Sequence, residues 1–196
     1  MSDLDAAFYF DLVSPLAYFA AERVLHTMPV ACEWQPILTR ALPDAESFEA
    51  FRCLEDEEIF RLEVERRARS LNLQELRWPN PFPFDSTVAM RAATYAKSIG
   101  KAVAFAQAAF RQAFAGGHPL DDTDNVLIAA AACEMHPLAV QKGVALRSVD
   151  EELVAATATA AEHGIADVPA IRVGERIFQG ERALEQAADY ATVLTR

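Results

Sequence analysis

This chain of 196 residues has three cysteines, and no two of them lie near each other. Cys32, Cys53 and Cys133 make neither a C-x-x-C pair nor a metal-ligand spacing, and an odd number leaves no complete disulfide framework. We expect all three to be buried, reduced and structural. No apolar run approaches the ~18 residues that a membrane-spanning helix needs. The acidic start, Met1-Ser-Asp-Leu-Asp5, lacks the basic segment of a secretory signal, so we expect a cytoplasmic protein with no membrane association. Positive charge is scarce: 18 Lys and Arg face 29 Asp and Glu, for a net charge of −11. That balance argues against nucleic acid and anionic membrane surfaces as partners, but a few gathered arginines would still hold an anionic small molecule. His26, His118, His136 and His163 are scattered, without H-x-x-x-H or His/Cys pairing, so no metal site is expected. Asp121, Asp122 and Asp124 lack the spacing of a calcium loop and precede a helix that they would cap. There are no repeats, and the alanine-rich stretch 155–161 is what a good helix former looks like.

Hydrophobic residues make up 52% of the chain, enough for a sizeable core in one domain or one domain with a large insertion. Residues 6–13 read as a buried strand, Pro15 to His26 as a helix with Leu16, Phe19, Ala20, Val24 and Leu25 inward, and 30–38 as a second strand limited by Pro36. From Asp44 to Asn72 the sequence turns charged and helical, with Phe48, Phe51, Leu54, Ile59, Leu62, Ala68 and Leu71 as an apolar stripe. Glu57–Arg61, Glu63–Arg67 and Glu65–Arg69 stand at i, i+4, the pattern of a solvated helix face. Trp78-Pro-Asn-Pro-Phe-Pro-Phe84 has to be an extended loop. Its rings either line an aromatic pocket or pin the loop to the core. Asp85 or Ser86 then caps a helix that ends at Gly100, and another helix covers about 102–115. Thr123 or Asp124 caps an apolar helix to about 134, and two more helices fit 138–146 and 149–163. Residues 170–173 and 176–178 form a hairpin around Gly174-Glu175, and 181–194 is a closing amphipathic helix. The order is β-α-β, a helical block, then β-β-α. It is similar to an α/β thioredoxin-like fold with a helical domain inserted between its halves, here 1–41 and 155–196 around an insertion of 42–154.

The Ser14-Pro15 step joins the first strand directly to a helix. Ser caps free backbone N–H groups and Pro presets φ at the first helical position. The Ser14 hydroxyl therefore sits at the positive end of a helix dipole, where an anion such as a thiolate is favoured. Read blandly, it is a helix cap and nothing more. Thioredoxin-like folds present a redox Cys-x-x-C at the equivalent place. Here Ser14-Pro-Leu-Ala17 has no cysteine, so a thiol would have to come from a ligand.

Four stretches give the chain a family resemblance over most of its length. They are Phe8-Tyr-Phe-Asp11-x-x-Ser14-Pro15-x-x-Tyr18; Pro81-Phe-Pro-Phe-Asp85-Ser86 leading to Ala89-Met-Arg-Ala92; Phe114-Ala-Gly-Gly117 with 122–127; and Gly164-Ile-Ala-Asp-Val168-Pro169-Ala170. The first and last are the specific ones. The chain resembles the glutathione-dependent 2-hydroxychromene-2-carboxylate isomerases, relatives of kappa-class glutathione transferases and DsbA-like proteins. The resemblance implies that glutathione is the cofactor, that Ser14 hydrogen-bonds its sulfur and stabilises the thiolate, and that the substrate is a small aromatic keto acid. It also implies that Val168-Pro169 is a cis-proline loop whose Val168 backbone pairs with the glutathione peptide, and that a homodimer is possible. Glu181 and Arg182 stand where the family has Gly-x-Asp-Arg-Leu, one residue shorter here, and Asp85 stands where the family has Asn. The family's Gly-Asn-x-Pro-Pro stretch and nearby lysine are missing from Thr39-Arg-Ala-Leu-Pro-Asp44, where Arg40 supplies a positive charge. Arg40, Arg91 and Arg182 are the candidates to hold a substrate carboxylate. Glutathione transfer or peroxide reduction, and glutathione binding without turnover, are the alternative readings; disulfide exchange lacks its cysteines.

Overall fold

The computed structural model describes residues 4–43 and 54–195. The chain opens with β1 (Ala6–Phe10), α1 (Pro15–Thr27) and β2 (Glu33–Pro36), then makes a 3-10 turn at Thr39–Ala41. A helical block follows: α2 (Leu54–Ser70), α3 (Thr87–Ser98), α4 (Ala102–Phe114), α5 (Thr123–Ala132), α6 (Pro137–Val144) and α7 (Arg147–Glu162). The chain returns to the sheet as β3 (Ala170–Val173) and β4 (Arg176–Gln179) and closes with α8 (Ala183–Leu194). The strand order is β2-β1-β3-β4, with β1 parallel to β2 and antiparallel to β3. This is a thioredoxin-like α/β fold with helices between its β-α-β and β-β-α halves.

β1 lies between β2 and β3, and all five of its residues are buried. Strand side chains alternate between faces, so both faces of the sheet are covered at this strand. Phe8 and Phe10 meet Trp34 edge-on, with ring centroids 5.0 and 5.8 Å apart, and Phe10 reaches Phe110 of α4 at 5.9 Å. A parallel pair needs a crossover, and α1 supplies it.

Both parallel strands are shorter than the apolar alternation predicts. β1 stops at Phe10 because the chain turns at once: the Ser14 N–H returns to the Asp11 carbonyl at 3.1 Å. Helix starts also shift by a residue or two. α5 begins at Thr123 under Asp122, whose carboxylate accepts the Asp124 N–H, rather than under Thr123 or Asp124. At α3 it is Asp85 whose carboxylate accepts the Thr87 N–H, at 2.9 Å. α7 runs unbroken through the boundary expected between 154 and 155, and the Thr157 hydroxyl accepts the Leu38 N–H at the end of β2. The helix expected from Asp44 lies outside the described residues over 44–53, together with Phe48, Phe51 and Cys53. Cys32 and Cys133 carry free thiols and are half-buried rather than fully enclosed. No helix among the described residues is long and apolar enough to cross a membrane.

Candidate functional site

Ser14 stands at the C-terminal edge of the sheet, between β1 and the first turn of α1. Its hydroxyl accepts the Ala17 N–H at 3.2 Å, the bond that caps the helix. It also donates to the Val168 carbonyl, 154 residues further on, at 3.3 Å. The two motifs that the sequence singles out therefore meet through one hydrogen bond. The first turn of α1 carries no acidic residue, and the Asp11 carboxyl lies in the elbow just before it, accepting the Val13 N–H. Ser14 itself is completely buried.

The Val168-Pro169 peptide bond is cis, as the motif implies. The Val168 backbone differs from the expectation in one respect: both groups meant for a ligand are already engaged. Its carbonyl accepts from Ser14, and its N–H donates to the Asp167 carboxylate at 2.7 Å. Val168 is buried, and a buried backbone group left without a partner is costly, so the loop satisfies itself locally.

Beside this pair, Leu16, Phe19, Ala20, Arg23, Arg67, Leu71, Pro169, Glu181 and Leu184 line a narrow crevice. It shares Arg67 and Glu181 with an open groove of about 350 Å³ that Glu63, Arg66 and Ser70 complete. Ligand sites for small molecules are typically roughly 300–1,000 Å³. Arg67 joins α2 to the start of α8: its guanidinium meets the Glu181 carboxylate at 3.0 Å and Glu185 at 3.2 Å. Arg23 of α1 holds the same Glu185 oxygen at 2.9 Å. Burial alone would raise the Glu185 pKa, but its own backbone N–H, Arg23 and Arg67 outweigh that and hold the carboxyl below its ordinary value. Of the i, i+4 pairs expected along α2, Glu57–Arg61 forms. Arg67 instead serves α8, and Glu65 accepts the Trp78 indole N–H at 2.9 Å. A half-buried indole needs an acceptor, so this helix face is not simply solvated.

Asp11 is a residue that the motif contains and to which the sequence reading gives no role. It is 1% exposed. One carboxylate oxygen accepts the Val13 N–H at 3.2 Å, and the other accepts the Thr39 N–H at 2.9 Å. Burial pushes its pKa up, against hydrogen bonds from the Ser86 hydroxyl and from the Thr39 and Val13 backbones. Next to Thr39, the exposed Arg40 guanidinium pairs with Asp85 at 3.0 Å and also hydrogen-bonds Thr87. Burial would raise the Asp85 pKa, but the Thr87 hydroxyl and N–H and the Arg40 charge together hold it below its ordinary value. Asp85 is thus engaged by a neighbouring cation.

Arg91 lies elsewhere, in an ion pair between α3 and Asp150 of α7. Arg182 is exposed at the start of α8, and its side chain makes no ion pair among the described residues. Phe82 and Phe84 are buried, and Trp78 meets Phe82 edge-on at 4.9 Å and Phe114 of α4 at 6.4 Å. Arg61 of α2 covers the Trp78 and Phe82 rings at 4.9 and 5.7 Å. These rings anchor the proline-rich loop to α2 and α4. Within the Ser-Pro motif, burial chiefly, with the nearby Glu22 charge, pushes the Tyr18 phenol up to about 12 against the pull of Arg111. Burial lifts the Cys32 thiol to about 11 and also raises Cys133, so neither is an activated thiol.

A solved structure of a 2-hydroxychromene-2-carboxylate isomerase superposes with a TM-score of 0.85, covering 97% of this chain and 96% of that one at 17% identity. A probable DsbA oxidoreductase from Streptomyces coelicolor gives 0.76 at 16% identity over 97% and 89% of the two chains. The cytosolic disulfide reductase DsbM from Pseudomonas aeruginosa, solved with GSH, gives 0.63 at 13% identity over 98% of each. At these identities the likeness is one of fold. No curated protein matches the sequence. The family model of the DSBA-like thioredoxin domain matches residues 6–191, almost the whole chain, and the chain belongs to that family.

Proposed function

We propose that this protein is a glutathione-dependent isomerase of the 2-hydroxychromene-2-carboxylate type, acting on a small aromatic conjugated keto acid or its cyclic hemiketal. One observation carries the reading. The Ser14 hydroxyl stands at a helix N-terminus whose first turn has no acidic residue and reaches Val168, and no cysteine occupies the Ser14-Pro-Leu-Ala17 stretch. A family site with a hydroxyl in place of the thiol suits a sulfur brought by the ligand.

The residues nearby fit glutathione in charge and size. The groove that adjoins the Pro169 crevice offers Arg66 and Arg67 for carboxylates and Glu63 and Glu181 for an ammonium, with the Arg67–Glu181 pair opening to receive them. When bound, glutathione supplies a thiolate that adds reversibly to a conjugated double bond, lets it rotate as a single bond and leaves again. Ser14 turns its proton from the Val168 carbonyl to the incoming sulfur, and the α1 N-terminus favours the negative charge there. Once Ser14 turns away, the Val168 carbonyl is free to accept from the glutathione peptide, while its N–H stays with Asp167 until a ligand carbonyl displaces that carboxylate; Glu181 and Arg182 stand at the start of α8. Of the three candidate arginines we assign the substrate carboxylate to Arg40, which follows the Asp11-anchored Thr39 in the chain. It would have to leave Asp85, which is the alternative acidic partner for the glutathione ammonium. In this reading residues 42–154 are the inserted domain.

Isothermal titration with glutathione, followed by turnover of 2-hydroxychromene-2-carboxylate, tests the proposal. We expect saturable binding and isomerisation that requires added glutathione. Binding without turnover would leave a glutathione-binding protein, and the absence of binding would remove the proposal.

A further inference from the structure

Among the described residues no cation pairs with the buried Asp11 carboxyl: it accepts the backbone N–H groups of Val13 and Thr39, and the Ser86 and Thr39 hydroxyls stand against it. Burying a carboxylate this way is expensive, and a turn can be closed without it. What the group gains is position. The bond to Val13 is a side-chain turn two residues on, and the Asp11 carbonyl also accepts the Ser14 N–H, so the residue braces both sides of the elbow that presents Ser14. Its second oxygen crosses 28 residues to Thr39, next to Arg40, at the end of the parallel strand. Ser86 completes the junction. It precedes α3 yet makes no side-chain cap to that helix, and its neighbours Asp85 and Thr87 hold Arg40.

The geometry points to Asp11 as a positioning residue that sets Ser14 and Arg40 in one fixed relation, coupling the thiolate end of the site to its carboxylate end. The inference rests on the glutathione reading for the roles of those two residues, but not for the junction itself. Thr39 hangs on Asp11 through its backbone N–H, so loosening the carboxylate frees the Arg40 segment directly. Ser14 keeps its bonds to Ala17 and Val168 and shifts only through its elbow.

Asp11→Asn is the informative variant. It is isosteric and removes the charge, but Val13 and Thr39 donate to different carboxylate oxygens, so one of the two N–H groups then faces the amide NH2. Amide hydrogen exchange on the free protein should speed at least tenfold at Val13 or Thr39, with the fold retained. Against glutathione and 2-hydroxychromene-2-carboxylate, we expect kcat to fall about tenfold while the glutathione Kd moves less than threefold. Arg40→Ala should cost the wild type activity but add little in the Asp11→Asn background, since the same arrangement is already lost. Additive effects of the two changes, unaltered exchange, or a loss of activity that merely tracks the unfolded fraction would overturn the inference. If the wild-type protein does not bind glutathione, the functional reading falls, and the exchange result still decides whether Asp11 holds the junction. Should Asp11→Asn fold poorly, Asp11→Ser, which keeps a single short acceptor, serves for the same exchange measurement.

Discussion

Ser14 makes two hydrogen bonds of unequal consequence. Accepting from Ala17 caps α1, which is a structural task that Asn or Asp could share. Donating to Val168 is different, because that proton is the one a bound thiolate would take. Ser14→Ala should therefore lower stability by ~1 kcal/mol through the lost cap. It should also raise the pKa of bound glutathione. One hydrogen bond to a charged group is worth about 1.5–3 kcal/mol, so turnover should fall roughly ten- to hundredfold. The thiolate absorbance of the complex, followed against pH, separates the two effects. An unshifted thiol pKa with full activity would reduce Ser14 to a helix cap. At this scale the sequence was eloquent about Ser14 and Val168-Pro169, since each sits in a local motif. It was silent about Asp11, because an Asp after an apolar strand does not reveal which N–H group it meets 28 residues away.

Among the elements, those with strong periodicity were read closest to their true limits. α1 runs Pro15–Thr27 where Pro15 to His26 was expected, and the hairpin and α4 fall within a residue of their expected ends. The misreading lay in α2. Spacing at i, i+4 describes a helix in isolation, and Arg67 at that spacing from Glu63 has better partners in Glu181 and Glu185 across the fold. Long-range competition of this kind leaves no mark in a local pattern. Helix packing sets a second test at α6. A Cβ on Gly143 would come within 2.5 Å of the Tyr95 ring of α3, so the two helices touch through the missing side chain. Gly143→Ala would gain up to ~1 kcal/mol in helix propensity. Overpacking of this order costs about 1–3 kcal/mol, and the net result should be a lower Tm. Pairing it with Tyr95→Ala should restore part of the loss relative to Tyr95→Ala alone. If Gly143→Ala stabilises the protein on its own, the helices have room to part and the contact is not limiting.

For the whole molecule, the question is what joins the sheet to the helical block that the sequence inserts into it. Apolar packing does most of this: one contiguous core runs from β1 through α3, α4 and α5 to α8. Polar ties are placed at the rim, and among the described residues Glu185 joins three helices. It takes Arg23 from α1 and Arg67 from α2 while standing on α8, so one carboxylate spans both halves of the thioredoxin-like part and the inserted helices. Its folded pKa lies below the ordinary 4.5. The sign follows: its stabilising contribution is complete above that ordinary value and is lost as pH falls through the lower folded value. Asp11, raised by burial, works in the opposite sense, since protonation relieves its cost, but it is common to wild type and variant and cancels in the comparison. The group is partly exposed, so Glu185→Gln should cost about 0.5–1 kcal/mol at neutral pH. In a chain of this size that is a Tm lower by roughly 1–4 °C. As pH falls below the ordinary 4.5 the two melting curves should converge, because the wild type loses what the variant never had. Parallel Tm profiles across that range would mean that the Arg23–Glu185–Arg67 tie contributes nothing to holding the inserted helices on the sheet.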